Sequence, residues 1–254
     1  MGSRRGGSGL TQKQRFTLLS LAKGKGQYDA SNFRVAGSNA DRFIDALDAN
    51  KYVEQLTVGN QVVIPTADAN FANAKTATFA GGQRYVSNQA AAYWAFLNDG
   101  TGGVAFTGFR TATAGFVMSL FSTRASAAGT EVGINMFVNT STGMGVNVAN
   151  GTAEIFTGTS AGAPQNLSLY MRYSGNTADS PDASYYRKSV LGSTADWSGT
   201  PGTTPNSTLV LGSTSASTLS YAGTWAFSWF YTALTSAEIN IVQTQIQNIY
   251  GMTP

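Results

Sequence analysis

The stretch Gly223-Thr-Trp-Ala-Phe-Ser-Trp-Phe-Tyr231 decides the fold class. Read at period two, it sets Trp225, Phe227, Trp229 and Tyr231 on one face of a β-strand. Thr235-Ser-Ala-Glu238 then has the spacing of a capping box, in which the threonine hydroxyl takes an orphan backbone N–H and the glutamate reaches back. Ile239, Val242, Ile246 and Ile249 recur at helical spacing, and Gly251 supplies a left-handed stop. Upstream, Ser207–Gly212 (STLVLG) is a short apolar run closed by glycine, and a polar turn region follows it. From Asn206 to Pro254 the chain reads strand, turn, strand, helix, stop.

Leu209–Gly212, Tyr221, Gly223, Tyr231, Leu234, Thr235, Glu238, Ile239, Tyr250 and Gly251 together resemble the close of the concanavalin A-like, laminin-G-type jelly-roll family. The variant they resemble is frequent in bacterial and phage proteins. Further upstream, Phe79, Gly81, Tyr85 and Val86 resemble the opening strand pair of that family. The resemblance covers residues 70–254 and implies an all-β sandwich, a concanavalin A-like jelly roll. Two departures stand out. Ala80 and Arg84 occupy the acidic positions of the family pattern. Calcium needs several oxygen ligands with carboxylates among them, so the family's calcium site is not expected, nor is any cofactor.

Composition suits this architecture. At 254 residues the chain is long enough for a large sandwich core. Charged residues make up only 11%, and Gly, Ser, Thr, Asn and Ala abound, as in many strands joined by uncharged turns. Val132–Val138, Gly145–Val148 and Glu154–Thr157 continue at the short, regular spacing of a sandwich, and Leu167–Tyr173 alternates cleanly. Tyr93–Thr113 reads strand, Asn-Asp-Gly turn, strand, with a shift of face after Gly108 that points to a bulge. No run approaches the roughly 18 apolar residues of a membrane span. The N-terminus has basic residues without an apolar region behind them, so neither a secretory leader nor a membrane partner is expected.

Ahead of the sandwich, residues 1–66 read as a basic N-terminal arm and a helical appendage, with the jelly-roll domain at 67–254. The first 28 residues hold six Lys/Arg and no acid. Residues 10–23 contain Phe16, Leu18, Leu19 and Leu21, a short helix ended by Gly24. Ser38–Gln55 reads as a second helix with Phe43, Ile44, Leu47, Tyr52 and Val53 along one stripe. Arg4, Arg5, Lys13, Arg15, Phe16, Phe43 and Leu47 are the candidate assembly contacts. Aromatic residues for base stacking are missing from the basic segment, so nucleic acid is not an expected partner.

The residue inventory argues against catalysis. No histidine and no cysteine are present, which removes the triads built on them, thiolate metal sites and disulfides. The four glutamates, Glu54, Glu131, Glu154 and Glu238, form no paired cluster of the kind a glycosidase needs. Two non-enzymatic readings follow. The first is a phage virion structural protein, a capsid decoration or a head or tail fibre module, docked through its N-terminal extension. The resemblance implies as partners the major capsid or tail protein and copies of itself in an oligomer, with the virion as its location. The alternative is a carbohydrate-binding, lectin-like module with a host-surface glycan as ligand. Asp99, Tyr185, Tyr186 and Trp197, on or beside uncharged turns and loops, are the candidate glycan or interface contacts.

Overall fold

The computed structural model describes residues 10–111, 117–126, 131–139, 143–148, 152–157, 166–173, 183–187, 190–195, 204–216 and 220–252. After helix α1 (Gln12–Lys23) come β1 (Gly24–Asp29), β2 (Phe33–Ala36), β3 (Asn39–Ile44), β4 (Tyr52–Glu54), β5 (Val62–Val63) and β6 (Thr66–Ala67). Then follow β7 (Lys75–Ala80), β8 (Tyr85–Ser87), β9 (Val104–Thr111), β10 (Val117–Ser122), β11 (Ile134–Asn139) and β12 (Gly143–Val148). The chain continues through β13 (Thr152–Thr157), β14 (Asn166–Tyr173), β15 (Ala183–Arg187), β16 (Val190–Ala195), β17 (Val210–Leu211) and β18 (Ala222–Tyr231), and helix α2 (Ser236–Tyr250) follows. Sheet A has the order β16-β15-β14-β9-β18-β7-β6, with β1 also paired to β18. Sheet B has the order β13-β12-β11-β10-β17-β8-β4-β3-β2, with β5 also paired to β3. The result is an all-β sandwich of the jelly-roll type with a helix near each end of the chain.

Strand β18 organises sheet A. Its whole length pairs with β9 on one side. On the other side its first half pairs with β7 and its second half with β1. A bulge between Trp225 and Phe227 reverses the alternation. Trp225 therefore faces the core between the sheets, against Phe43 and Phe79, while Phe227, Trp229 and Tyr231 face outward beneath α2. This corrects the single-face reading of those four residues. It also relocates the expected bulge, since β9 keeps a regular register with β14 through Gly108 and Phe109 and the irregularity lies opposite, in β18.

The core between the sheets joins Tyr28, Phe43, Phe79, Tyr85, Trp94, Phe109, Phe121, Trp225 and Phe230. Tyr221 crosses its end and donates its hydroxyl hydrogen to Arg110 O at 2.8 Å. A Cβ on Gly223 would lie 2.4 Å from that tyrosine's oxygen, so the Tyr-x-Gly spacing of the sequence is a close approach that only glycine allows.

Residues 38–55 are not a helix. They form β3, a turn and β4. Gly37, at φ 66°, turns the chain between β2 and β3, and the Asp48 carboxylate accepts Asn50 N at 3.0 Å in the second turn. Aspartate and asparagine side chains that bond nearby backbone compete with helix in this way. Phe43 lies between Tyr85 at 4.8 Å and Trp225 at 4.9 Å. The break drawn at residue 66 does not interrupt the sheets, because β1 pairs with β18 and β4 with β8. The opening pair β7 and β8 divides between the two sheets, turning at Gly81 and Gly82, both at positive φ. The stretch from Tyr93 to the Asn-Asp-Gly turn, expected as a strand, belongs to a 3-10 helix (Ala91–Leu97) that inserts Trp94, Phe96 and Leu97 into the end of the sandwich.

A second apolar layer covers the outer face of sheet A. Ile239, Val242, Ile246 and Tyr250 of α2 close over Val104, Phe106, Phe227 and Trp229. Tyr250 stacks on Phe227 at 4.5 Å, whereas Ile249, expected in the stripe, is exposed. The helix carries its expected caps: Thr235 and Glu238 make both capping-box bonds, and Gly251 is left-handed at φ 62°. Helix α1 lies beside α2, with Phe16 against Trp229 at 5.4 Å and Lys23 paired to Glu238 at 2.8 Å. No helix among the described residues is long and apolar enough to cross a membrane.

Candidate functional site

The two sheets present different outer faces. That of sheet A is closed by α1 and α2. On sheet B, Met118, Leu120, Ile134 and Met136 turn into the core, so the alternate residues Ser119 and Asn135 lie on the other face. Ser119 Oγ donates to Asn135 Oδ1 at 2.6 Å. Both side chains are fully buried, and the Asn135 Nδ2 donor has no hydrogen-bond partner.

Polar groups gather along the end of β10. The Ser122 hydroxyl accepts Arg124 N at 3.0 Å, and Thr123 and Ile134 exchange bonds at 2.8 and 2.9 Å. The segment after β17 then folds against this turn. Gly212 N donates to Leu120 O, and beyond it Ser215 N donates to Arg124 O at 3.4 Å, with Ser213 and Thr214 fully buried between them. The Ser213 hydroxyl has no hydrogen-bond partner. Arg124 is also fully buried. Burial holds its guanidinium below the ordinary arginine range, and the charge of Glu131 opposes that shift. The Glu131 carboxylate in turn accepts Ala125 N at 3.0 Å and Ser126 Oγ at 3.2 Å. The Arg84 guanidinium donates to Ser215 O and so ties the approach to β8 to the same loop.

The residues singled out from sequence do not converge on this place. Asp99 is half-buried, and its carboxylate accepts Thr101 N at 2.9 Å and Thr101 Oγ1 at 2.6 Å, which makes it a turn former. Tyr185 and Tyr186 lie on β15 in sheet A, in register with Met171 and Tyr170 of β14. Trp197, Arg4 and Arg5 lie outside the described residues. Lys13 and Arg15 are exposed on α1, and Phe16 is half-buried beneath it. Phe43 is a core residue with no exposed surface, so it is not available as an assembly contact, and Leu47 is half-buried against Gly24. Ser119, Ser122, Arg124, Asn135 and Ser213 went unremarked in the sequence. Their one signal is polar residues alternating with Met118, Leu120, Ile134 and Met136, which also describes any solvent-facing strand.

Among the described residues no three of His, Cys, Asp or Glu come together as a metal site. No protein-family model and no curated protein matches the chain. Solved structures do resemble it. The CBM40 module of Ruminococcus gnavus IT-sialidase is similar at 13% identity with a TM-score of 0.50, over 65% of this chain and 94% of that one. Trypanosoma rangeli sialidase in complex with the inhibitor DANA is similar at 13% identity with a TM-score of 0.57, over 87% of this chain and 33% of that one. The same enzyme in complex with 2,3-difluoro-KDN gives 12% identity and a TM-score of 0.55, again over 87% and 33%. This chain spans about a third of the length of those sialidases. The likeness is one of fold, a β-sandwich.

Proposed function

We propose that the chain is a non-catalytic glycan-binding module whose ligand face is the polar outer side of sheet B, around Ser119, Arg124, Asn135 and Ser213. The observation that carries this reading is the pair of fully buried donors, Asn135 Nδ2 and Ser213 Oγ, that have no protein acceptor. A buried polar group without a partner costs about 1–3 kcal/mol, and a ligand hydroxyl recovers that cost once the residues covering the group part to admit it. Sugars bring several hydroxyls at once, and the amide, hydroxyl and guanidinium groups gathered along β10 suit them. The likeness to the CBM40 module supports the fold needed for such a use. Binding rather than hydrolysis is favoured because Glu131 is the carboxylate of this cluster, whereas glycosidic cleavage uses a pair about 5–9.5 Å apart.

The test is a glycan array probed with the full chain, with and without calcium, followed by calorimetry on the hits. Asn135→Ala combined with Ser213→Ala removes two donors of about 0.5–1.5 kcal/mol each, so affinity is expected to fall about tenfold or more with the circular-dichroism spectrum unchanged. Absence of any glycan hit, or hits indifferent to both substitutions, overturns the assignment.

A further inference from the structure

Helix α1 is apolar on two sides. Its inner side is spent on the fold: Phe16 and Leu19 join the layer under α2, Ser20 Oγ lies 3.3 Å from the Tyr231 hydroxyl, and Gln12 Nε2 donates to Ile241 O at 3.0 Å. Its outer side carries Leu18 and Leu21, 54% and 67% exposed, and Leu10, just ahead of the N-cap Thr11, is 50% exposed. Within the helix Gln14, Leu18 and Leu21 follow spacings of four and three residues, which is one face of a helix and the pattern by which two helices interlock. Gln14 itself is held in the capping box with Thr11, so the seam starts at a fixed, well-formed helix end. Lys13 and Arg15 are both exposed and flank the seam on its two sides. Residues 1–28 contain six Lys/Arg and no acid.

We propose that this face docks an acidic amphipathic helix of a partner protein, with the partner's apolar seam against Leu10, Leu18 and Leu21 and its carboxylates against Lys13 and Arg15. Charge decides among the occupants. A second α1 laid on the first would set cations against cations. A bilayer interface favours exposed aromatic anchors, and the outer face of α1 has none. An acidic helix satisfies both the apolar and the charged parts of the surface.

The probe is a synthetic acidic helix with leucines at four-four-three spacing and glutamates on both flanks, titrated onto the full chain by fluorescence anisotropy. A lysine-flanked version serves as control, with phosphatidylserine vesicles and sedimentation velocity of the chain alone run in parallel. The acidic helix is expected to bind at least about tenfold tighter than the lysine version, and its affinity to fall as salt rises. Leu18→Ser with Leu21→Ser lowers that affinity about tenfold and leaves the melting temperature unchanged, because both leucines are surface residues. Equal affinity for the two helices overturns the proposal. So does binding to vesicles without binding to the acidic helix, or self-association that the same two substitutions abolish. None of these outcomes bears on glycan binding, which uses the opposite sheet.

Discussion

Replacing Gly108 with alanine tests how the outer layer of sheet A is held. Gly108 pairs with Phe227 across the β9–β18 ladder at the bulge. A Cβ there would lie 2.3 Å from Phe227 Cε1 and 2.8 Å from Cδ1, closer than carbon atoms can approach. The ring has little room to retreat, because Tyr250 stacks on it at 4.5 Å and Trp229 lies at 5.0 Å. Overpacking of this kind costs about 1–3 kcal/mol. Disturbing the aromatic stack adds about 0.5–1.5 kcal/mol. Alanine in place of glycine within a strand returns about 0.5–1 kcal/mol. The net expectation is a destabilisation of about 1–3 kcal/mol, a fall in melting temperature of roughly 3–10 °C for a chain of this size. Thermal and urea unfolding measure it. On a Phe227→Leu background, where no aromatic ring opposes the new methyl, the same substitution is expected to cost less than about 1 kcal/mol. A Gly108→Ala protein as stable as the parent would refute the reasoning, and an equal cost in both backgrounds would show that the conflict is not with Phe227.

Three further outcomes are expected. Thr235→Ala removes the capping hydroxyl of α2 and is expected to cost about 1 kcal/mol in urea unfolding; no change would mean that Glu238 alone suffices as a cap. Burial pushes the Glu238 carboxyl up, but the Lys23 ammonium at 2.8 Å and the Thr235 donors outweigh it and hold the group below the usual glutamate range. Such a group contributes stability that is present above its unfolded pKa and lost as pH falls through the folded one. The gap between parent and Glu238→Gln is therefore expected to close on acidification, and a gap that widens would contradict the assignment. Asp45 carries the opposite sign. Burial raises its carboxyl against the opposing bonds from Leu47 N and Gln27 N. Stability from a raised acid is present below its unfolded pKa and lost as pH rises through the folded one. Asp45→Asn, which keeps an oxygen to accept both bonds, is expected to melt above the parent at neutral pH, with the difference shrinking toward about pH 4; a variant less stable at every pH would sink this account.

The candidate site was much less legible than the fold, for a physical reason. Ser119 and Asn135 meet because β10 and β11 are neighbours, and Ser213 is brought beside β10 because the segment after β17 folds back on Arg124. Each residue by itself is a small polar group in an alternating strand or a turn, a pattern shared by every solvent-facing strand. Asp99 looked like a ligand contact for the converse reason: an aspartate in a turn is as often a hydrogen-bond acceptor for its own backbone, and this one accepts from Thr101.

What the sequence determined by itself is local. Both ends of α2 are written in Thr235, Glu238 and Gly251, because capping chemistry is satisfied within a few residues of chain. The stop of α1 at Gly24 and the strand at β14 are of the same kind. Only the tertiary structure decided which way the apolar stripes face. An apolar stripe at residues 43–53 fits a helix or a pair of strands equally well until β4 finds β8 and Phe43 finds Trp225. The bulge in β18 likewise appears only when Phe227 must lie over Gly108 while Trp225 fills the core. Periodicity specifies that a face exists; the partner strand and the volume left to fill specify which face it is.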